Sequence, residues 1–105
     1  MTTEDLLEEL ISAGVKAYKK LNKNTPEGRK LNRHESVIIE GMEFTCWKEY
    51  SIYKTAEYIS KIIPPEQVEV TIDGNNSVIT ITCDDKEQQE INLKLYQFLK
   101  KENII

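Results

Sequence analysis

The residues that could carry covalent chemistry are two cysteines, Cys46 and Cys83, and a single histidine, His34. If the chain forms a hairpin before Cys46, then His34 and Glu35 lie opposite the end of the strand that carries this cysteine. A neighbouring imidazole can activate a thiol, and a carboxylate can orient the ring. Alternation nevertheless places Cys46 on the apolar face of its strand, where a buried thiol is the ordinary outcome. A Cys46 thiol hydrolase is therefore our third hypothesis, and we expect no enzyme.

Acidic residues are concentrated near the start of the last predicted helix, at Asp84, Asp85, Glu87 and Glu90. Their spacing does not follow the calcium-loop pattern of alternating oxygen ligands, a glycine and a final glutamate. Capping of a helix explains them instead. The sequence also has no CxxC pair. We therefore predict no metal site and no cofactor.

A basic segment covers residues 22–35, which show no hydrophobic period and contain Pro26 and Gly28. We define the basic set as Arg29, Lys30, Arg33 and His34. Guanidinium groups bind phosphate and carboxylate with two parallel hydrogen bonds. Our second hypothesis is therefore a module that sequesters a nucleotide or another anionic ligand, with Trp47 or Tyr50 stacked on the base. The alternative is a solvated linker.

Aromatic and lysine residues alternate along the helix predicted after Cys46. We define the aromatic–lysine set as Trp47, Tyr50, Lys54, Tyr58 and Lys61. On a helical wheel the last four of these residues lie opposite the apolar stripe. Tyrosines beside lysines suit a protein interface, because they bring large contact area at low entropic cost. Our first hypothesis is a non-enzymatic protein that binds another macromolecule as an inhibitor, an adaptor or a phage accessory factor. The alternative is that the aromatic rings pack in the core.

Composition bounds these hypotheses. The 105 residues fit one domain, residues 1–105, and the formal net charge of −4 argues against binding duplex DNA. The acidic N-terminal stretch differs from a secretory signal, and no apolar run is long enough to cross a membrane. We therefore expect a cytoplasmic protein. A composition rich in Lys, Glu, Ile and Asn suggests a low-GC bacterium or its phage.

The first half of the chain predicts a helix, a hairpin and a second helix. Residues 3–21 form an amphipathic helix with Thr2 or Thr3 as its cap, interrupted by Gly14, which could allow another backbone to approach closely. The hairpin turns at Glu40-Gly41 and places Ile39 opposite Met42 and Val37 opposite Phe44. The following helix buries Ile52, Ala56, Ile59 and Ile63, and Pro64-Pro65 terminates it.

The second half predicts another hairpin and a last helix. Residues 67–83 alternate strictly on both sides of turn residues 73–76. Asp84 or Asp85 then caps a helix whose apolar face is formed by Ile91, Leu95, Phe98 and Leu99. Residues 91–95 also alternate, so a strand is the alternative there.

The predicted order is α-ββα-ββα. Two consecutive hairpins most simply form a four-stranded antiparallel sheet packed with three helices, which is an α+β fold. The open sheet edges, Gly14 and the apolar Ile104-Ile105 terminus also predict a homo-oligomer, a homodimer in the simplest case.

Overall fold

The computed structural model describes residues 2–104, except for the side chain of Asn75. The helices are α1 (Thr3–Asn22), α2 (Pro26–Asn32), α3 (Trp47–Ile59) and α4 (Asp85–Lys101). The strands are β1 (Val37–Ile39), β2 (Met42–Phe44), β3 (Val68–Thr71) and β4 (Val78–Ile81). Single turns of 3₁₀-helix cover Pro65–Gln67 and Gly74–Asn76. The α+β class is as predicted.

The strands do not form the single sheet that we predicted. Within residues 2–104, β1 pairs only with β2, and β3 pairs only with β4, in two separate antiparallel sheets. The prediction of one four-stranded sheet packed with three helices is therefore wrong. Strands β1 and β2 are only three residues long, and α3 begins three residues after β2 ends. Helices α2 and α3 pack against the first hairpin, while α1 and α4 build the main core with the second.

Residues 22–35 were predicted to lack regular structure, but they contain the short helix α2. Residues 2–104 therefore contain four α-helices rather than the three that we predicted. Thr25 caps it, because its Oγ1 accepts a hydrogen bond from the Gly28 amide at 2.9 Å. Pro26 occupies the first turn, where its missing N–H costs nothing. The chain leaves α2 through His34, whose φ is 58°. Thr25, Pro26 and Glu27 are a local helix-start signal, but a helix of seven residues is too short to show a clear hydrophobic period.

The local predictions are largely confirmed. The first hairpin pairs Val37 with Phe44 and Ile39 with Met42, as expected. Both turn residues adopt positive φ, 55° at Glu40 and 80° at Gly41, which is typical of a two-residue hairpin turn. Thr2 and Asp84 cap α1 and α4, and residues 91–99 are helical. Helix α3 ends at Ile59 rather than at the two prolines.

Two hydrophobic clusters stabilise the fold. The first is formed by helices α1 and α4 with the end of α3, and it buries Leu6, Leu7, Leu10, Ile59, Ile63, Ile91, Leu95 and Leu99. The second joins α2, the first hairpin and α3, and it buries Leu31, Val37, Phe44 and Trp47. The second hairpin lies at the side of the first cluster, and its apolar side chains are only partly covered there.

Gly14 allows α1 to lie close to α3. A Cβ at this position would lie 2.2 Å from Oγ of Ser51, which is buried and donates to the Ile11 carbonyl at 2.8 Å. The glycine thus serves packing within the chain, so it is not evidence for a second copy. Ile104 packs against the first cluster, whereas Ile105 lies outside the described residues. Homo-oligomerisation stays a prediction.

Candidate functional site

The two ends of the aromatic–lysine set have very different surroundings. Trp47 is only 4% exposed, and its indole N–H donates to Oδ1 of Asn32 at 2.7 Å. Tyr50 is half-buried beside Trp47, and its ring meets the rings of Tyr18 and Phe44 edge to face at 4.9 and 5.4 Å. Trp47 therefore anchors the second cluster, and Tyr50 lies at its edge. Only Lys61, at the far end, is exposed.

Lys54 links the first hairpin to α3. Its Nζ lies 2.8 Å from Oε1 of Glu40 and 3.5 Å from Oε2 of Glu57. The same nitrogen lies 5.6 and 5.5 Å from the ring centroids of Tyr50 and Tyr53. The hydrogen bond that Lys54 donates to Glu40 raises the pKa of Lys54, against the opposing effect of burial, so this side chain stays charged over the whole neutral range.

Tyr58 borders a groove rather than projecting into solvent. Its ring stacks on Phe98 of α4, with centroids 4.0 Å apart and an interplanar angle of 27°. Burial raises the pKa of Tyr58 and also that of Tyr18, so both phenols remain protonated at neutral pH. The groove, which we call the α1–α3 groove, has a volume of about 330 Å³. It is lined by Leu10, Ala13, Gly14, Ala17, Tyr18, Lys54, Thr55, Tyr58, Phe98, Glu102 and Ile104.

The basic set is exposed, and both of its arginines already bind groups of this chain. Arg29 donates to the Asn24 carbonyl at 3.0 Å, and Arg33 forms an ion pair with Glu35. Trp47 and Tyr50 border a different cavity, of about 330 Å³, whose described lining includes Glu40 but none of the four basic residues. The two rings and the basic set therefore do not line the same cavity within the described residues. Nucleotide or phosphate binding stays a prediction.

The two cysteines are free thiols in different surroundings. Cys46 is 5% exposed and precedes α3, while His34 is exposed beyond the end of α2. Cys83 is half-buried, and its pKa is raised by burial and by the carboxylates of Glu87, Asp84 and Asp85. No group of three or more His, Cys, Asp or Glu within residues 2–104 is placed to hold a metal ion. The thiol hydrolase stays an untested prediction.

A second groove, which sequence reasoning missed, lies between α1 and β4. We call it the β4 cleft; it has a volume of about 320 Å³. It is lined by Thr3, Glu4, Leu7, Glu8, Ile11, Ser77, Val78, Ile79, Thr80, Ile81, Cys83 and Gln88. The alternation in β4 was visible in the sequence, but the predicted four-stranded sheet left no reason to expect a strand edge facing α1.

Glu49 positions the second hairpin against α3. It is 5% exposed, and its Oε1 accepts from the Thr45 amide at 2.7 Å and from the Thr45 hydroxyl at 2.5 Å. Its Oε2 accepts from the Gly74 amide, in the turn between β3 and β4, at 3.3 Å. Burial acts to raise the pKa of Glu49, but these hydrogen bonds outweigh it and lower the pKa below its ordinary value of 4.5.

We expect Glu49→Gln to lower the free energy of unfolding at pH 7 by about 1.5–3 kcal/mol, the range for hydrogen bonds to a charged group. A depressed carboxyl pKa contributes stability that is present above the unfolded-state pKa and is lost as the pH falls through the folded-state pKa. The wild-type protein should therefore lose this stability as the pH falls below about 4.5. The stability of Glu49→Gln should not show this decrease. Urea titrations between pH 7 and pH 3 measure both effects. Glu43→Gln, at an exposed position of β2, is the control.

A wild-type and a Glu49→Gln protein with the same acid dependence would contradict this assignment. So would a Glu43→Gln protein that loses as much stability at pH 7 as Glu49→Gln does.

Comparisons of the chain with protein-family models, with curated proteins and with solved structures find no match. None of the helices within residues 2–104 is long and apolar enough to span a membrane. A functional proposal therefore has to be argued from the geometry of the α1–α3 groove and the β4 cleft.

Proposed function

We propose that this protein is a small, non-enzymatic binding protein that acts by contacting another protein, and that the α1–α3 groove is its contact surface. The observation that carries the proposal is the lining of this groove, which combines aromatic rings with small side chains. Tyr18, Tyr58 and Phe98 provide the rings, while Ala13, Gly14 and Ala17 provide the small side chains of α1.

This lining suits an apolar helix face or loop of a partner. Small residues let a partner backbone approach closely, and half-buried rings supply contact area without much loss of entropy on binding. Glu102 adds a negative charge to the lining, which can orient a partner, whereas Lys54 is already paired with Glu40 and Glu57. A groove between helices is also a common receptor for an amphipathic helix.

The proposal keeps part of the aromatic–lysine set as contact residues. Lys54 and Tyr58 line the groove. Tyr50 contacts the groove-lining ring of Tyr18 edge to face at 4.9 Å, whereas Trp47 is buried in the second cluster and is not among the described lining residues. Lys61 is not among the described lining residues, and its role in binding stays a prediction.

We expect Ala17→Arg to abolish partner capture by filling the groove, while the fold stays intact. Ala17 is exposed on α1, and arginine is a good helix former, so the substitution should change the free energy of unfolding by less than about 0.5 kcal/mol. Affinity capture from the native host, with quantification of the retained proteins, measures the effect. Gln97→Arg is the matched control, because it adds the same charge at an exposed position of α4 outside the described lining.

Capture that survives Ala17→Arg, or that is lost equally with Gln97→Arg, would contradict the assignment of the groove. Tyr58→Ala is a poorer test of binding, because it also removes the ring that stacks on Phe98 and would destabilise the fold. Circular dichroism and thermal unfolding of both arginine variants establish that the fold is unchanged.

A further inference from the structure

The β4 cleft follows the edge of a strand rather than one face of a sheet. Residues 78–81 all line it, although alternate residues of a strand point to opposite faces. A cleft that touches both sets must lie along the edge. Strand β3 occupies the other edge of β4, so the edge in the cleft has no strand partner within residues 2–104.

The backbone of β4 offers hydrogen bonds to this cleft. Thr82 donates to the carbonyl of Gln67 at 2.8 Å, and these two residues are in register with the β3–β4 ladder. In an antiparallel pair, residues alternate between those bonded across the ladder and those whose N–H and C=O point away. Thr82 is bonded across the ladder, so Thr80, two residues earlier, is bonded in the same way. The N–H and C=O groups of Ile79 and Ile81 therefore point away from β3. No other group within residues 2–104 pairs with them.

The opposite wall of the cleft carries negative charge. Glu4 and Glu8 of α1 are exposed there, beside Leu7 and Ile11, which are buried in the core. Neither glutamate forms an ion pair with a described residue. No Lys or Arg belongs to the described lining.

The acidic character continues at the far end of the cleft. Cys83 lines it there, and the carboxylates of Glu87, Asp84 and Asp85 help to raise the pKa of its thiol, after the larger effect of burial. Carboxylates thus lie on the α1 wall of the cleft and close to Cys83 at the start of α4.

We propose that the β4 cleft binds an extended, basic segment of a partner protein, which adds as a third strand to the β3–β4 sheet. Main-chain hydrogen bonds to Ile79 and Ile81 hold the segment, and its Lys or Arg side chains face Glu4 and Glu8. Strand β4 is about 13 Å long, which matches four to five extended residues. This surface lies on a different part of α1 from the α1–α3 groove, so the proposal does not rest on that groove.

A second copy of this chain fits the cleft less well. Strand β4 itself, Val-Ile-Thr-Ile, carries no positive charge and is flanked by Asp73 and Asp84. Antiparallel pairing of two β4 strands would bring these carboxylates towards each other, in a chain whose net charge is −4. Like charges that face each other across strands are destabilising.

The test uses fluorescein-labelled octapeptides with blocked termini and the full-length protein, measured by fluorescence anisotropy at low salt. The basic probe alternates valine and lysine, and the acidic probe alternates valine and glutamate. We expect the basic probe to bind, the acidic probe not to bind, and added salt to weaken binding. Two further basic probes carry N-methyl groups on either the valine or the lysine amides. One of them should lose binding and the other should keep it, because only alternate amides of an added strand face β4.

Variants of the protein locate the site. Glu4→Gln/Glu8→Gln should lower the affinity for the basic probe roughly threefold to tenfold, as expected for the loss of two exposed ion pairs. The control Glu9→Gln/Glu43→Gln removes the same charge from exposed positions outside the described cleft and should change affinity by less than about twofold. Ala17→Arg should leave peptide binding unchanged, which separates this cleft from the α1–α3 groove.

Several results would overturn the proposal. The proposal fails if the basic probe does not bind or if the basic and acidic probes bind with equal affinity. It also fails if both N-methylated probes bind with equal affinity, or if the two double variants change the affinity of the basic probe equally. A dimer in sedimentation equilibrium that Glu4→Gln/Glu8→Gln strengthens would also overturn it, because it would assign the edge to a second copy.

Discussion

Replacing Leu95 by alanine is expected to lower the free energy of unfolding by about 2–5 kcal/mol. Leu95 lies in the middle of α4, is 0% exposed and belongs to the first hydrophobic cluster. The substitution removes buried methyl groups and leaves a cavity that helices α1 and α4 cannot close without moving. A small domain has only about 5–15 kcal/mol of stability, so this single change takes a large share of it.

Leu93→Ala is the matched control, because it makes the same substitution two residues away in the same helix. Leu93 is 55% exposed, so we expect a change of about 0.5 kcal/mol or less. Urea unfolding followed by far-ultraviolet circular dichroism measures both variants. Similar losses for Leu93→Ala and Leu95→Ala would contradict the helix, since residues two apart share a face in a strand and not in a helix.

Replacing Gly28 by alanine is expected to cost about 3 kcal/mol, the upper end of the range for overpacking. A Cβ at this buried position would lie 1.8 Å from the carbonyl oxygen of Asn22 and 2.8 Å from its carbonyl carbon. Both atoms belong to the backbone at the end of α1, so no side-chain rotation relieves the contact. Helix α2 would have to move, and Leu31, which is 1% exposed in the second cluster, would move with it.

The gain in helix propensity from glycine to alanine, about 1 kcal/mol, is too small to offset this contact. Gly41→Ala is the comparator. Its Cβ would meet nothing within 4 Å, so its cost is limited to the positive φ of 80°, about 1–2 kcal/mol. Urea unfolding measures stability, and near-ultraviolet circular dichroism follows the environment of Trp47. Only Gly28→Ala should perturb the Trp47 signal; an unperturbed signal with full stability would contradict the role of Gly28.

The parts of the fold that were predicted correctly depend on short-range patterns. The register of the first hairpin follows from alternation on both sides of Glu40-Gly41, because a slip by one residue would turn every apolar side chain outward. The caps at Thr2 and Asp84 use hydrogen bonds within three residues of the cap. Such interactions form wherever the local sequence allows them, so they can be recognised without knowing the rest of the molecule.

The pairing of the two hairpins is a different kind of question. Nothing in a strand of three or four residues specifies which other hairpin it will meet. The first hairpin is covered by Leu31 from α2 and by Trp47 from α3. The prediction joined the two hairpins because they follow each other in this α+β order, and it did not include the apolar contribution of α2.

The candidate sites show the same limit. A helical wheel placed Lys54 and Tyr58 on a face away from the apolar stripe of α3, but it could not show that Tyr58 packs against the first cluster and stacks on Phe98 of α4. It also could not show that Trp47 is buried against Asn32, fifteen residues earlier in the chain. The β4 cleft was invisible because its two walls are about seventy residues apart and neither wall is a motif by itself.

The α+β class and the register of the first hairpin could be predicted from the sequence, which also limited each cap to two candidates and favoured a helix over a strand for residues 91–99. These features rest on side-chain periodicity and on hydrogen bonds to nearby backbone groups. Three features are visible only in the folded chain: the hairpins stay apart, α1 lies close to α3 at Gly14, and one edge of β4 is open. Those features depend on which buried surfaces meet across long separations, and burial rewards apolar area without specifying its partner.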